Sequence, residues 1–463
     1  MNIMGMYSGM DMSMVEQLIQ AESSRKVKFT QKKEQYTQSQ NAWKDLNTRL
    51  DSLYKRLDDV RKTESFNSKT VELTGEENLT VTADEGAATG EYRVQIQQLA
   101  TQTRLTGDRV PTDSIHSELS FSGDLTLTTG AGSFNVTVEA ADSLKSISDK
   151  INGQTEETGV KASIVDNRLV LSHNEYGPQD LSVSGTGTLT SDLGLDAATA
   201  VQGKSALFTV DGLAIERTTN TIDDVIEGLS FELTNIHEGS EETKISVTED
   251  MDKAAETLEK FVEQYNSTQG YIKTQLDVGD PSAENNKTGK LSGDGTLMRL
   301  QSNLRKMMTK QSTSASSVSS LADLGVEISR DGTASFDREK LEEQINSDPN
   351  AVSDFFSRTE TVPETADANG DIVPATTKKV GFSEDMRSFV DEYISSSLGI
   401  IKTRNDTYDR MIRDVDDRIS QFEDRLEAKK ARYIREFTAL DTAMMQAESQ
   451  LEQMYSQLGM GQE

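Results

Sequence analysis

Between residues 29 and 60, apolar side chains return every three or four positions. Trp43, Leu46, Leu50, Leu53, Leu57 and Val60 are spaced alternately by three and four, with charged and polar residues between them. That is the heptad seam of a helix packed along another helix. Phe29 and Tyr36 continue the row backwards at sevens, with Lys32 and Ser39 in the alternate places. A short apolar patch, Val15, Leu18 and Ile19, stands nearer the start. From about Val71 to Thr248 the period changes to two. Runs at 79–82, 92–96, 124–128, 134–138, 162–165, 168–171, 207–210 and 229–233 alternate apolar and polar residues, and Gly, Asn and Asp separate them. This predicts antiparallel sheet. One helix interrupts it over 143–152, with Asp142 or Ser143 as N-cap and Gly153 as the C′ residue.

Helix returns near Asp252. Ala255, Leu258, Phe261, Val262 and Tyr265 make one stripe, and Leu297, Leu300, Leu304 and Met307 another. Polar loops are expected at 277–295 and 357–379. Alternating runs at 325–328 and 333–336 flank Arg330-Asp331-Gly332, which reads as a hairpin; a short helix follows over 337–345. A long helix is expected from about Ser388 to Leu458. Its seam runs Ile412, Val415, Ile419, Phe422, Leu426, then Lys429 and Tyr433, then Phe437, Leu440, Met444, Ala447, Leu451, Met454 and Leu458. Residues 412 to 458 would span roughly 70 Å at about 1.5 Å per residue. The spacing through Lys429 and Tyr433 is a stutter that locally unwinds a supercoil.

The pattern therefore predicts an α+β chain that folds back on itself. Long terminal helices form a coiled-coil-like stalk, a helical domain lies in the middle, and a β-rich antiparallel two-part head is inserted in the centre of the chain. The boundaries expected are 1–65 and 386–463 for the stalk and 251–385 for a mainly helical leg with a hairpin. Residues 66–111 and 201–250 form the inner head, and 112–200 the outer head. The stalk seams, Trp43, Leu46, Leu50, Leu53, Leu57, Ile412, Val415, Ile419, Phe422, Leu426, Phe437, Leu440, Met444 and Leu451, are the candidate contact residues. The stretch 46–60 fits an intramolecular core and an intermolecular seam equally. The Met-rich start (Met1, Met4, Met6, Met10, Met12, Met14) fits an adaptable contact surface or an unstructured leader.

Composition narrows the function. The chain has 463 residues, a formal net charge of −30 and no Cys. That charge repels phosphate backbones and anionic lipid, so neither nucleic acid nor a membrane surface is an expected partner. Without Cys there is no disulfide, thiolate metal site or Cys nucleophile. His116, His173 and His237 are the only histidines, and no pair has zinc-ligand spacing. Gly289-Lys290 is followed by Leu291, and residue 284 is Glu, so this is not a phosphate-binding loop. Asp367, Asn369 and Asp371 around Gly370 lack the Gly position and the closing Glu of a calcium loop. No catalytic motif stands out, so no enzyme, metal or cofactor is expected. No stretch of about 18 apolar residues is present, and the start lacks an ordinary secretory signal.

Four segments carry a family resemblance. The opening Gly5-Met6-Tyr7-Ser8-Gly9-Met10-Asp11, with Val15-Glu16-Gln17-Leu18-Ile19, is similar to a Ser-Gly-Leu-Asp opening, with Met10 in place of Leu. Gly90 to Ala100 resembles an N-terminal domain signature, and 151–171 resembles the flagellin hook-insertion motif. Phe208-Thr209-Val210-Asp211-Gly212 with 221–228 resembles a second β segment, and the helix carrying Arg418, Phe422, Arg432-Tyr433 and Phe437 also fits. Together they resemble the bacterial flagellar filament cap family, the hook-associated protein 2 proteins. The resemblance implies a ring-like homo-oligomer at the filament tip, with a plate of β heads and helical legs. It implies that the ring retains exported flagellin and promotes its folding and insertion. It also implies flagellar type III export without a cleaved signal, an export chaperone and contact with hook–filament junction proteins. Seams interrupted by Lys32, Ser39 and Lys429 would suit contacts that exchange. The alternative is a secreted adhesin whose head binds host mucus or glycans, for which Tyr176-Gly177-Pro178 is the only hint.

Overall fold

The computed structural model describes residues 9–196, 198–280, 282, 287–312, 317–366 and 372–457. Met1, Met4, Met6, the opening Gly5-Met6-Tyr7-Ser8, Glu284, the 367–371 loop and Leu458 lie outside the described residues. The chain divides into two compact units, one of Met1–Phe66 with Ala254–Glu463 and one of Asn67–Lys253. It opens with helices α1 (Met12–Glu22) and α2 (Ser24–Val60). Asp11 caps α1 by accepting the Met14 N–H at 3.1 Å.

The second unit is built of antiparallel ladders. β1 (Lys69–Thr74), β2 (Leu79–Ala83), β3 (Gly90–Gln98) and β4 (Gln102–Thr106) come first. β5 (Gly123–Thr129), β6 (Gly132–Val138), helix α3 (Leu144–Asn152), the single turn α4 (Thr155–Thr158), β7 (Val160–Val165), β8 (Arg168–Tyr176), β9 (Leu181–Gly185) and the turn α5 (Leu189–Asp192) follow. β10 (Ala206–Val210), β11 (Leu213–Arg217), β12 (Thr221–Ile226), β13 (Leu229–Leu233) and β14 (Thr243–Glu249) complete it. One core lies between a five-stranded sheet, β1-β14-β3-β10-β11, and a three-stranded one, β12-β13-β2. Leu79, Val94, Ile96, Phe208, Phe231, Ile245 and Val247 fill it. A second core lies with the sheets β4-β8-β7 and β6-β5-β9 and with α3, around Leu125, Leu127, Ile147, Ile151, Leu169 and Leu171. The alternating runs supply both, because period two puts every second side chain on the buried face.

Two passes of chain join these cores. The Asn220 amide grips Ala100 on both sides, accepting its N–H at 2.7 Å and donating to its C=O at 3.0 Å. Buried Thr103 accepts the N–H groups of Gln179 and Gly203 at 3.0 and 2.9 Å. A Cβ on Gly203 would stand 2.1 Å from the Gly177 carbonyl oxygen, so only glycine fits there. Ser143 caps α3 reciprocally with Ser146, while Asp142 instead accepts from the Glu139 N–H and from Lys150. Gly153 is right-handed at φ −66°. The left-handed stop falls at Gly159, φ +68°, after the further turn α4.

The chain returns to the first unit with α6 (Met251–Leu276) and α7 (Gly295–Met308). The hairpin of β15 (Val326–Ile328) and β16 (Ala334–Phe336) turns at Asp331-Gly332 as its sequence predicts, and α8 (Arg338–Ser347) follows. The pattern gave no sign of α9 (Pro349–Phe356), which is too short to show a period and rests on the Asp348 cap and Pro at its start. The expected polar loop at 357–379 instead contains a hairpin. β17 (Arg358–Val362) pairs with β20 (Thr376–Val380), and β18 (Thr365–Ala366) with β19 (Ile372–Val373) in the same register. Thr and Val make it β-prone, and Pro363 and Pro374, which lack an N–H, punctuate the ladder.

The expected single C-terminal helix is two helices, α10 (Phe382–Ile394) and α11 (Ile400–Gln457). Ser395-Ser396-Ser397-Leu398-Gly399 separates them. Leu398 apart, these are poor helix formers, and a Cβ on Gly399 would press to 2.4 Å from the Ser395 carbonyl. The core of this unit holds Trp43, Leu46, Leu50, Leu53, Leu57, Leu258, Phe261, Tyr265, Leu297, Leu300, Met386 and Val390, all fully buried. Aromatic rings close one end, with Phe66 stacked on Phe356 at 4.7 Å and Phe355 on Phe382 at 5.7 Å.

Candidate functional site

The two chain ends meet as an antiparallel helix pair. As numbers rise along α2 they fall along α11. Lys26 pairs with Glu423, and Lys33 with Asp416 at 2.6 Å. Phe29 meets Phe422 edge-to-face at 6.2 Å, and Tyr36 meets Tyr408 at 6.3 Å. The Gln40 amide donates to Asp409 at 2.7 Å and to the Asn405 carbonyl. Arg404 stands 5.7 Å from the Trp43 ring, and it also donates to Thr296 at 2.6 Å. Along α2 the two rings stand seven residues apart, as its heptad row sets them, while their partners on α11 stand fourteen apart, and ion pairs flank them.

The second half of α2 turns its seam inward, toward α6 and α10. Tyr271 Oη donates to the Ala42 carbonyl at 2.9 Å, Gln264 to the Arg49 carbonyl at 3.0 Å, and Arg49 to Ser267 at 2.7 Å. Arg387 grips Tyr54 Oη at 2.8 Å and Asp58. The structure thus places Trp43, Leu46, Leu50, Leu53 and Leu57 inside the chain's own helical core. Ser39 donates to the Lys290 carbonyl at 3.1 Å, and Lys32 lies 5.6 Å from the Tyr36 ring.

The seam of α11 divides in three. Val415 is buried, and Ile412, Ile419, Phe422, Leu426 and Phe437 are half-buried. Leu440, Met444 and Leu451 are 40%, 41% and 47% exposed, and Met454 and Tyr455 are more so. Between Leu426 and Phe437 stands a clasp that sequence spacing could not reveal. Lys429 donates to Glu22 at 2.5 Å, and Tyr433 Oη donates to the same carboxylate at 3.2 Å. The hydrogen bond from Lys429 holds the Glu22 carboxyl below the usual carboxylate range. Lys429 is therefore a partner of α1 rather than an unfilled seam position. The helix is amphipathic, tied to α1 through Lys429 and Tyr433 and apolar toward its C-terminal end. No helix among the described residues is long and apolar enough to cross a membrane.

Comparison with known proteins agrees on one family. The model described as flagellar hook-associated protein 2 C-terminus matches residues 203–449, the corresponding N-terminus model matches 8–103, and a flagellin hook IN motif model matches 124–175. The A-type flagellar hook-associated protein 2 of Pseudomonas aeruginosa is 28% identical over 95% of this chain and 93% of its own. The flagellar hook-associated protein 2 of Escherichia coli O157:H7 is 27% identical over 95% and 94%. Among solved structures, the D1-D2-D3 domains of the flagellar cap protein FliD from Escherichia coli align with a TM-score of 0.61 at 26% identity. That alignment covers 80% of this chain and 99% of the other.

Proposed function

Because this chain belongs to the flagellar hook-associated protein 2 family and is a flagellar filament cap protein, we propose that it works as a ring whose legs are held by an exposed helical seam. The single observation that carries this is the apolar row Leu440, Met444 and Leu451 facing solvent on α11. Such a row at seven- and four-residue spacing calls for another helix. A second copy of this chain and flagellin are the two surfaces that would cover it in turn. Trp43, Leu46, Leu50, Leu53 and Leu57 do a different job, keeping the leg rigid from within. Flagellin arriving at the tip would be retained by the ring, fold beneath it and insert in the growing filament. Export through the flagellar type III apparatus, an export chaperone and contact with junction proteins belong to the same reading, as does a location at the extracellular tip. It assigns no catalytic role, and no observation on the head favours the adhesin alternative.

The test is complementation of a strain lacking the gene. The full chain should restore filaments seen by electron microscopy, whereas a chain ending before Leu440 should leave monomeric flagellin in the medium. Normal filaments from the shortened chain would sink this reading.

A further inference from the structure

The ribbon of β17 and β20 has no third strand among the described residues. Thr359–Glu364 and Pro374–Lys379 are exposed throughout. A two-stranded ribbon is marginal alone in water, and its open edges carry backbone groups that template a further strand. Its charges are divided between its strands. Glu360 lies on β17 and Glu364 just beyond it, while Lys378 and Lys379 lie on β20; Arg358 at the half-buried root is the one cation on β17. Glu360 sits directly across from Lys378, yet none of these four residues forms an ion pair with a described residue.

Two copies could join such ribbons edge to edge in three ways. β17 against β17 sets carboxylates together, and β20 against β20 sets ammonium groups together; like charges opposite one another destabilise a sheet. Only β17 against β20 puts Glu360 and Glu364 beside Lys378 and Lys379. That contact is heterologous, so each copy offers one edge and uses the other, and the series runs on from copy to copy instead of stopping at a pair, as a ring requires. We infer that this ribbon is a head-to-tail strand contact between copies of the chain, the β17 edge of one taking the β20 edge of the next. The inference rests on the ring reading above and names one contact that would build it.

The absence of Cys makes introduced thiols unique. Full-length Thr361→Cys and Thr377→Cys proteins are mixed in equal amounts and treated with a short bismaleimide. The mixed cross-link should exceed, several-fold, the product from either variant alone. Adding Lys378→Glu and Lys379→Glu to the Thr377→Cys partner should abolish it, with the melting temperature of the chain unchanged. Equal yields in mixed and single samples overturn the contact, as does capture of added flagellin in place of the second copy. Sedimentation of the same samples separates the two ideas. Rings without the mixed cross-link overturn the ribbon contact alone; no rings and no cross-link overturn the ring reading as well.

Discussion

Replacing Leu440, Met444 and Leu451 together with Gln tests whether the C-terminal part of α11 is an assembly seam. Gln keeps helix propensity near that of Leu and Met, so the helix should persist. What changes is the apolar surface still exposed in the single chain, 40% of Leu440, 41% of Met444 and 47% of Leu451. Full burial of such a side chain is worth about 1.5–3 kcal/mol. Covering the exposed fractions therefore contributes about 2–4 kcal/mol per chain, or roughly thirty- to several-hundred-fold in an association constant. Sedimentation velocity over a concentration series should show the oligomer of the triple variant dissociating at correspondingly higher protein concentration. Far-UV circular dichroism and the melting temperature of the single chain should match the parent. If the triple variant assembles at the parent's concentrations, the exposed row is not a contact between chains.

Leu50→Ala, by contrast, should leave assembly chemistry untouched and cost the fold about 2–5 kcal/mol, because Leu50 is fully buried; calorimetry would show a lower melting temperature. The Glu22 clasp should respond to acid. Its folded-state pKa lies below the ordinary 4.5, so its stabilising effect is present above pH 4.5 and is lost as pH falls through the folded value. Hydrogen exchange in α1 should quicken there, and Glu22→Gln should remove that dependence. His237 carries a second acid response. Burial lowers its pKa from 6.5, and its ring accepts the Ile96 N–H through Nδ1 at 2.9 Å while Nε2 pairs with Thr243 at 2.9 Å. The unfolded chain binds that proton more readily, so the stability of the Asn67–Lys253 unit should decline as pH falls below about 6.5. His237→Asn should flatten the decline in a thermal melt against pH.

What the sequence could show depended on whether one face of an element is buried. The period-two runs of the head and the row from Trp43 to Val60 were readable because burial imposes a repeat. The partner of each row was not. Leu46 to Val60 fit an internal core and an external seam equally well, and their burial with the hydrogen bonds from α6 and α10 decides for the core. The exposed ribbon at 358–380 buries no face, so it left no alternation to find, and two prolines disguised it as loop. The break between α10 and α11 was masked by the strong seam beyond it. Lys429 read as a flaw in that seam because Glu22 lies 407 positions away in the chain, where no local spacing rule reaches. Placement of the fourteen candidate contact residues in space needed the structure; their membership of helical seams did not.

Lys69 and Glu249 are direct partners across β1 and β14, so the polypeptide enters and leaves the head at neighbouring points. A segment with adjacent ends behaves as a cassette: it can be complete in itself, and it can be exchanged without stretching what it interrupts. The helical unit has the opposite property, since the first half of α2 finds its partner only when α11 exists. On folding, the head can thus close once residue 249 is in place, while the pairing of the chain ends waits for the last helix. The two parts of one molecule are finished on different clocks, and change in the head between relatives need not disturb the slower one.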